Sequence, residues 1–479
     1  MSAPFKIKLA AIAKDEGFYL PLWVYHHLRF GFDVLDIRVN DTTDNSLQIL
    51  KKLKAIYGER LRFSLADQEM EICRAQDLNF QIYIYTQIHQ ETLTEDFTHL
   101  MFLDIDEYWC AANFEETIKD FLAAHADFGI CMFQWLMETP NALRQIKDFP
   151  FDSSLIVQKS DHVKSLLDLK SRVIAIRIHN YVLKGGNYVL SNEAAIQFDK
   201  EDRSRGILPK DFFEANREKS SEYFVYHQVF RSQDEYLAGL MRGNKQSGDD
   251  SLLKTNRFGF VATSPKEFDL VWTIPDSALK AYQLAYEQVI TGLGAELVTA
   301  HNFVLSRKDA VLNYLQDDLF LQKLHANKLR GLSPRIYTPK KITQRIKVKV
   351  ENIYFNESAR TCSFDCEINS DKLDYKLLIT QSFSKEPVAA RIKLVNLEQT
   401  SQCVTKQFQI EIDLVDLSYV VYLRWPPFCL AAQIEGELLL VERDKFRDLG
   451  KLVAPKAAEF RQAANQKKPS FLKKLMSKF

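Results

Sequence analysis

Residues 5–46, FKIKLAAIAKDEGFYLPLWVYHHLRFGFDVLDIRVNDTTDNS, decide the fold of this chain. The apolar run 5–13 predicts a buried strand, and apolar side chains then recur at helical spacing from Phe18 to Phe30. A second strand is predicted at Val34–Val39, and the Asn, Asp and Ser residues after it are typical of a turn that leads into a helix. A strand, a helix and a second strand in this order indicate a βαβ unit.

The same alternation continues to about residue 103. Ser46–Tyr57 predicts a helix, Leu61–Leu65 a strand and the stretch from about Cys73 to His89 one further helix. An apolar strand follows, HLMFL, at residues 99–103. Strands that alternate with helices predict an α/β fold with a parallel, doubly wound, Rossmann-like sheet.

Length and composition set broad limits on the protein class. A chain of 479 residues exceeds the size at which one hydrophobic core keeps growing, so two or three domains are expected. Lys plus Arg equals Asp plus Glu at 63 each, and this balance predicts no nucleic-acid partner. The seven cysteines show no CxxC pair, which favours free thiols in a reducing compartment. We find no apolar run near the roughly 20 residues of a membrane span, so a cytoplasmic protein is predicted.

The chemistry of the chain is concentrated in residues 99–109, HLMFLDIDEYW. In an open α/β sheet, ligands bind beyond the carboxyl ends of the strands, and this strand ends in acids. Asp104 and Asp106 flank Ile105, so on an extended strand both carboxylates would point the same way. Two such carboxylates can bind Mn²⁺ or Mg²⁺. The alternative is that they form a solvated strand end or cap a helix.

Two motifs in this region resemble those of the family 2-like glycosyltransferases and their family 92 relatives. The second motif of those families, a strand that ends in Asp-x-Asp-Glu and an aromatic residue, is matched by Asp104, Asp106, Glu107 and Tyr108. The first motif is matched by Lys14, Glu16, Trp23, His27, Gly31, Asn40 and Asp44. The chain departs from the pattern at Asp15, Leu22 and Val39.

The resemblance implies a GT-A fold and a metal-dependent transfer of sugar from a nucleotide-sugar donor, with UDP as the expected nucleotide. It further implies an inverting reaction, a glycan or lipid-linked acceptor, and a role in bacterial surface polysaccharide or lipooligosaccharide synthesis. The residues expected to bind the donor are Ala13, Lys14, Glu16, Asn40, Asp41, Asp44, Asp104 and Ile105. For Asp41 and Asp44, turn capping is an equally good explanation. A non-catalytic nucleotide-sugar-binding protein and another metal-dependent nucleotidyl or phosphoryl enzyme stay open as alternatives.

A third motif lies at residues 222–244, EYFVYHQVFRSQDEYLAGLMRGN. His227, Ser232, Arg242 and Gly243 match the later motif of the same families. We expect His227 to join Asp104 and Asp106 as a metal ligand, because neutral imidazole suits such a cation. A histidine bonded within the core is the alternative. The basic side chains of Lys164–Arg172 could contact the phosphates of a donor or form a solvated face, and we favour the solvated face.

An inverting reaction also needs a carboxylate that removes the acceptor's proton. Glu138 is one candidate, and Asp249 and Asp250 are others. The sequence does not choose between them, and a helix-capping or surface acid is the alternative for Glu138.

Beyond the predicted catalytic domain, residues 1–262, the character of the chain changes. Helical periodicity over 263–335 predicts a helical segment, with helices at Asp276–Leu293 and Lys308–Lys328. Short alternating runs over 340–447 predict an accessory β-sandwich. The tail 455–479 is basic and amphipathic, which favours peripheral binding to the inner face of the cell membrane, although a frayed tail or an oligomer contact would explain it too.

Overall fold

The computed structural model divides into two compact units. It describes residues 5–125, 128–146, 149–185, 187–199, 202, 204–219, 221–242, 252–254, 256–316, 318–339, 346–356, 361–370, 376–381, 388, 390–399, 404–413, 428–434 and 437–442. Unit 1 comprises Met1–Gly239 and Phe260–Asp309, and unit 2 comprises Leu240–Gly259 and Ala310–Phe479. The boundaries predicted at 262 and 335 stay predictions, and the tail 455–479 lies outside the described residues.

Unit 1 begins with the predicted alternation of strands and helices. Its first elements are β1 Ile7–Ala13, α1 Leu20–Arg29, β2 Val34–Val39, α2 Ser46–Tyr57, β3 Leu61–Leu65, α3 Asp67–Gln76, α4 Phe80–Leu93 and β4 His99–Phe102. The following elements are β5 Glu107–Ala111, α5 Ile118–Ala124, β6 Ile130–Glu138, β7 Ser154–Asp168, β8 Val173–Ile176, β9 Tyr181–Leu183, β10 Tyr188–Leu190, α6 Lys210–Asn216, β11 Tyr223–His227, α7 Gln233–Leu240 and β12 Leu270–Thr273. The α/β class predicted from the sequence is confirmed.

One mixed sheet organises unit 1. Its strand order is β3-β2-β1-β4-β7-β6-β11-β5, with β10 paired to β6 and β12 paired to β7. Strands β1 to β4 are parallel, whereas β7 runs antiparallel to both β4 and β6. Because β7 is antiparallel to both β4 and β6, β6 runs in the same direction as β4 and β1. Strand β11 is parallel to β6 and shares that direction. The carboxyl ends of these strands therefore lie at one edge of the sheet.

Apolar side chains cover both faces of this sheet, which is why helices pack on both sides. In β1, Ile7, Leu9 and Ala11 join a core cluster with α1 and α2, whereas Ala10 joins a second cluster with α3 and α4. This alternation follows from the two-residue period of a strand.

The single helix predicted from about Cys73 to His89 is in fact two helices. Asp77 adopts a left-handed conformation with φ of 55° and ends α3. Asn79 then starts α4, since its side chain accepts a hydrogen bond from the Ile82 N–H at 3.0 Å. The apolar periodicity runs through this stretch without a break, but the polar residues Asp77 and Asn79 end one helix and begin the next.

Two further helices, α8 Asp276–Ile290 and α9 Gly294–Leu315, follow β12. In the part of the chain that the structure describes, the run Asp276–Leu315 has the length and apolar composition of a membrane span, a weak criterion that core helices of soluble proteins also meet. Tyr282 and Tyr286 of α8 are buried, and the Tyr25 hydroxyl of α1 donates to the Tyr282 carbonyl at 3.1 Å. The α8 helix therefore packs on the helical layer of unit 1.

Unit 2 contains the short helices α10 Leu319–Leu324 and α11 Ala326–Leu329 and two antiparallel sheets. One helix predicted at Lys308–Lys328 is thus replaced by shorter pieces. The strands are β13 Ile346–Asn356, β14 Thr361–Ser370, β15 Lys376–Gln381, β16 Ala390–Gln399, β17 Val404–Asp413, β18 Phe428–Ile434 and β19 Glu437–Glu442. The sheets have the orders β13-β14-β17-β16 and β15-β18-β19. Their packing as a sandwich stays a prediction.

Candidate active site

Residues 104–107, which we name the acidic turn, lie directly after β4 at the carboxyl edge of the sheet. The Glu107 N–H donates to the Asp104 carbonyl at 3.0 Å, and the Asp104 N–H donates to Glu107 Oε2 at 2.8 Å. The indole N–H of Trp23 donates to the carbonyls of Asp104 and Glu107, at 3.0 and 3.1 Å. The strand geometry predicted for Asp104 and Asp106 is therefore wrong, because β4 ends at Phe102 and the chain turns.

The Asp104 side chain faces a buried ammonium group. Its Oδ2 lies 3.0 Å from Nζ of Lys164, and its Oδ1 accepts a hydrogen bond from Gln81 at 3.3 Å. The carboxylate is 38% exposed, whereas the Lys164 side chain is only 1% exposed. Asp104 can thus reach a ligand on one side while Lys164 neutralises it on the other.

Lys164 also binds the second buried acid of the turn. Its Nζ lies 3.0 Å from Oε2 of Glu107, which has no exposed surface. Burial raises the pKa of Glu107 to about 7, although Lys164 counteracts this shift. Burial alone would lower the pKa of Lys164, but Asp104 and Glu107 hold it above its ordinary value. The lysine is therefore a fixed positive charge beneath the acidic turn, and the predicted solvated face at Lys164–Arg172 is wrong at this residue.

Asp106 faces the histidine that the sequence singled out. Its Oδ2 lies 3.7 Å from Nε2 of His227, at the end of β11. Because β11 pairs antiparallel with β5, His227 lies opposite Glu107 in the ladder. The imidazole is held against the ring of Trp135, at 4.3 Å between ring centroids. Two strands far apart in sequence thus bring a carboxylate and an imidazole together.

Arg231 supplies a second cation near this edge, and its side chain is 13% exposed. Its guanidinium lies 3.4 Å above the ring centre of Tyr19 and 3.7 Å from Oε2 of Glu16. The backbone of Arg231 is left-handed, with φ of 54°, a conformation rare for residues other than glycine. Its N–H donates to Oε2 of Glu138 at 3.3 Å. This strained residue therefore links the segment after β1 to the ends of β6 and β11.

The predicted catalytic acid Glu138 ends β6 at the same edge but is already paired. Its Oε1 contacts the guanidinium of Arg144, and its side chain is 5% exposed. A cavity of about 870 Å³ begins at Glu138 and Arg144 and extends to Asp152 and Lys266. Glu138 would have to leave the ion pair to act as a base. The second candidate, Asp250, lies outside the described residues, as does Asp249.

The predicted donor-binding residues after β1 and β2 also lie at this edge. Asp41 contacts Arg74 at 2.6 Å and Lys14 at 3.6 Å. Asp44 instead accepts from the N–H groups of Gly17 and Ser46, at 2.7 and 2.9 Å. Asp44 therefore has the capping contacts that the sequence offered as an alternative, while Asp41 lies in a charged cluster.

The other residues predicted to bind the donor are Ala13, Glu16, Asn40 and Ile105, which lie close in sequence to the charged residues at this edge. The Asn40 N–H donates to the Ala13 carbonyl at 3.1 Å, and both residues are buried. Ile105, within the acidic turn, is buried. Glu16 is also buried, and its N–H donates to the Ser46 hydroxyl at 3.2 Å. Their role in donor binding stays a prediction.

Asp15, one of the positions at which the chain differs from the family motif, connects two loops. Its Oδ1 accepts hydrogen bonds from the N–H of Thr43 at 2.6 Å and that of Asp44 at 3.3 Å. Its Oδ2 lies 3.1 Å from the guanidinium of Arg307. The carboxylate thus holds the loop after β2 against the loop after β1.

The site partly fits a divalent cation. Asp106 and His227 offer oxygen and nitrogen donors 3.7 Å apart, a separation that one ion can bridge. Nδ1 of His227 is buried and has no hydrogen-bond partner among the described residues. Within the described ranges no cluster of three or more His, Cys, Asp or Glu side chains forms a metal site, and Asp104 is bound to Lys164. A cation here would need further ligands, such as phosphate oxygens of a donor.

Two residues that shape this site, Lys164 and Arg231, could not be assigned to it from the sequence. Lys164 lies on an alternating strand among basic residues, so only the pairing of β4 with β7 brings it near Asp104. Arg231 follows the matched His227 by four positions, but nothing in its sequence context indicated the left-handed backbone.

No known family profile matches the chain, and no curated protein matches it. Solved glycosyltransferase structures match about a third of it. An active-site mutant of LgtC is 16% identical with a TM-score of 0.20, covering 34% of this chain and 57% of that chain. Galactosyltransferase LgtC with donor and acceptor sugar analogues is 15% identical with a TM-score of 0.19, covering 34% and 58%.

A third solved structure is core-mannan synthase A from Aspergillus fumigatus in a Mn/GDP form. It is 12% identical with a TM-score of 0.18, and the match covers 30% of this chain and 45% of that chain. This chain therefore spans less than two thirds of each of the three structures. TM-scores of this size do not establish a shared fold, and the function proposed below rests on the geometry of the site.

Proposed function

We propose that this protein is a glycosyltransferase that transfers a sugar from a nucleotide-sugar donor to a hydroxyl acceptor. The observation that carries the proposal is the approach of Asp106 to His227, 3.7 Å apart, beside the exposed carboxylate of Asp104. These groups lie at the carboxyl edge of a Rossmann-like sheet, where open α/β folds bind nucleotides.

Asp106 and His227 are the residues that would hold Mn²⁺ or Mg²⁺, with Asp104 as a further candidate. When bound, such a cation offsets the negative charge that develops on a departing nucleoside diphosphate. Lys164 keeps Asp104 and Glu107 from repelling that diphosphate, because its ammonium lies 3.0 Å from each carboxylate. Trp23 fixes the backbone of the acidic turn through its two hydrogen bonds.

The acceptor would enter through the cavity of about 870 Å³ next to Glu138. Its lining combines charged side chains, Asp152 and Lys266, with polar groups such as Asn141, which suits a glycan. Glu138 is the proposed base, released from Arg144 when the acceptor binds. An inverting reaction follows if Glu138 acts from the face opposite the leaving diphosphate.

The finer assignments belong to the same proposal. They are a UDP-sugar donor, a glycan or lipid-linked acceptor of bacterial surface polysaccharide or lipooligosaccharide synthesis, and a cytoplasmic enzyme that binds the inner membrane face through residues 455–479. They rest on the motif resemblance and on the composition of the tail.

A donor-hydrolysis screen tests the proposal. Purified protein is incubated with a panel of nucleotide sugars, with and without Mn²⁺, and the products are separated by chromatography. We expect release of nucleoside diphosphate from at least one donor. Formation of nucleoside triphosphate and sugar 1-phosphate when inorganic pyrophosphate is added would instead identify a nucleotidyltransferase, and binding without turnover would identify a non-catalytic binding protein; either result contradicts the proposal.

A further inference from the structure

A second cavity, of about 360 Å³, lies away from the acidic turn, and we name it the Lys159 cavity. It is lined by Gln134 in the middle of β6, by Lys159 of β7, and by Ser191 and Asn192 after β10. Asn216 at the end of α6 completes one side. Because Gln134 lies four residues before the end of β6, the cavity is separated from the carboxyl edge of the sheet.

Among the described residues, Lys159 is a buried charge without a counter-ion. The residue is only 6% exposed, yet the hydrogen bond that its Nζ makes within this part of the chain is a long one, to the Asn216 carbonyl at 3.4 Å. No carboxylate of the described residues lies within ion-pair distance of it. Lys164, five residues further along β7, lies 3.0 Å from two carboxylates. Burying an ammonium ion costs free energy unless it is paired with an anion. A bound anionic ligand would therefore stabilise Lys159.

The other Lys and Glu side chains that line this cavity, Lys219, Glu193 and Glu222, are exposed. Lys219 lines the same cavity, and burial together with Lys219 lowers the pKa of Lys159 to about 8. Lys159 therefore remains mainly protonated at neutral pH. The rim acid Glu193 lies within hydrogen-bond distance of His125, with Oε1 2.8 Å from Nδ1.

The rest of the lining provides groups that suit hydroxyls. Ser191 and Asn192 carry hydroxyl and amide groups, and Asn216 and Gln134 add further amides. A volume of about 360 Å³ falls at the lower end of the range for small-molecule sites and exceeds what a bare inorganic ion fills.

We propose that the Lys159 cavity binds a small hydroxylated anion, a phosphorylated or carboxylated sugar, whose charged group pairs with the ammonium of Lys159. Amide and hydroxyl groups around it would bind the sugar hydroxyls. This site is independent of the acidic turn, so the failure of one assignment leaves the other standing.

The test is calorimetric titration of the full-length protein at pH 7 with glucose 1-phosphate, glucuronate and neutral glucose. We expect saturable binding of at least one of the two charged sugars and no binding of glucose. Lys159→Gln should weaken that binding at least tenfold, whereas Lys51→Gln, which alters an exposed lysine of α2, should leave it unchanged. Equal affinity in the wild type and Lys159→Gln, or no binding of either charged sugar, would overturn the proposal.

A second measurement does not depend on the choice of ligand. Lys159→Met removes an unpaired buried charge, so the ligand-free variant should unfold at a higher temperature than the wild type. A charged sugar that binds should raise the midpoint of the wild type and not that of Lys159→Met. A lower midpoint for ligand-free Lys159→Met would show that the ammonium is stabilised within the protein, and the proposal would fail.

Discussion

The ammonium of Lys164 lies 3.0 Å from the carboxylate of Glu107, and both side chains are almost completely buried. The same ammonium lies 3.0 Å from Asp104, so one cation neutralises two acids beneath the turn that carries Asp106. The acidic turn is thus supported by an internal positive charge that is present before any ligand binds.

Removal of this charge should destabilise unit 1. In Lys164→Met, Glu107 and Asp104 lose their cation, and breaking a buried pair costs about 3–5 kcal/mol. Denaturant unfolding followed by circular dichroism measures the change. Lys170→Met, an exposed lysine just beyond β7, serves as the control and should change stability by less than about 0.5 kcal/mol. Equal stability of the two variants would show that the buried pair contributes little.

Trp23 should affect activity more than stability. Trp23→Phe keeps an aromatic ring but removes the N–H that binds the carbonyls of Asp104 and Glu107. We expect a loss of about 1–2 kcal/mol in stability and at least a tenfold lower rate of donor turnover.

The matched control for Trp23 is Tyr25→Phe on the same helix. This change removes one buried hydrogen bond, from the Tyr25 hydroxyl to the Tyr282 carbonyl, without contact to the acidic turn. Tyr25→Phe should lose about as much stability as Trp23→Phe, and its donor turnover should stay within about twofold of the wild type. If both variants lose activity equally, the hydrogen bonds of Trp23 have no special role.

Stability should fall in acid because His26 is held neutral in the core. Its Nε2 lies 2.8 Å from the Trp109 carbonyl and its Nδ1 3.0 Å from the Tyr282 hydroxyl. Burial lowers the pKa of His26 from 6.5 to about 3. The unfolded chain therefore binds a proton that the folded chain does not, and the stabilisation present above pH 6.5 is lost as the pH falls toward 3.

Equilibrium unfolding at pH 7, 6, 5 and 4 measures this effect. Between pH 6.5 and about 3, one such proton changes the free energy of unfolding by about 1.4 kcal/mol per pH unit. His26→Gln should have a shallower slope between pH 6 and 4 than the wild type. An unchanged slope would mean that His26 does not control acid stability.

Much of the fold could be predicted from the sequence because its signals are local. The apolar periods of β1, α1 and β2 and the turn residues after β2 predict the βαβ unit directly. Antiparallel β7 could not be predicted, since its pairing with β4 and β6 is set by contacts distant in sequence. The strand β18 of unit 2 has no such local signal, because its apolar run FCLAAQI lacks the alternation of a half-buried strand.

The candidate site, like the fold, could be predicted only where the signal is local in the sequence. Asp104, Asp106 and His227 were singled out by motif, and the structure brings Asp106 and His227 together. The partners of these residues, Lys164 for Asp104 and Arg144 for Glu138, depend on strand pairing and loop conformation that no local pattern reveals.

The central claim, that the carboxylate of Asp106 is required for sugar transfer, is tested most directly by turnover of the donor identified in the hydrolysis screen. Asp106→Asn keeps the size of the side chain and removes its charge, and Asp168→Asn makes the same change at the opposite edge of the sheet, where Asp168 lies across from His99. With Mn²⁺ present, we expect the first variant to lose at least a hundredfold in kcat/KM and the second to stay within about twofold of the wild type. Wild-type turnover by Asp106→Asn, with its fold intact by circular dichroism, would contradict the assignment of the active site.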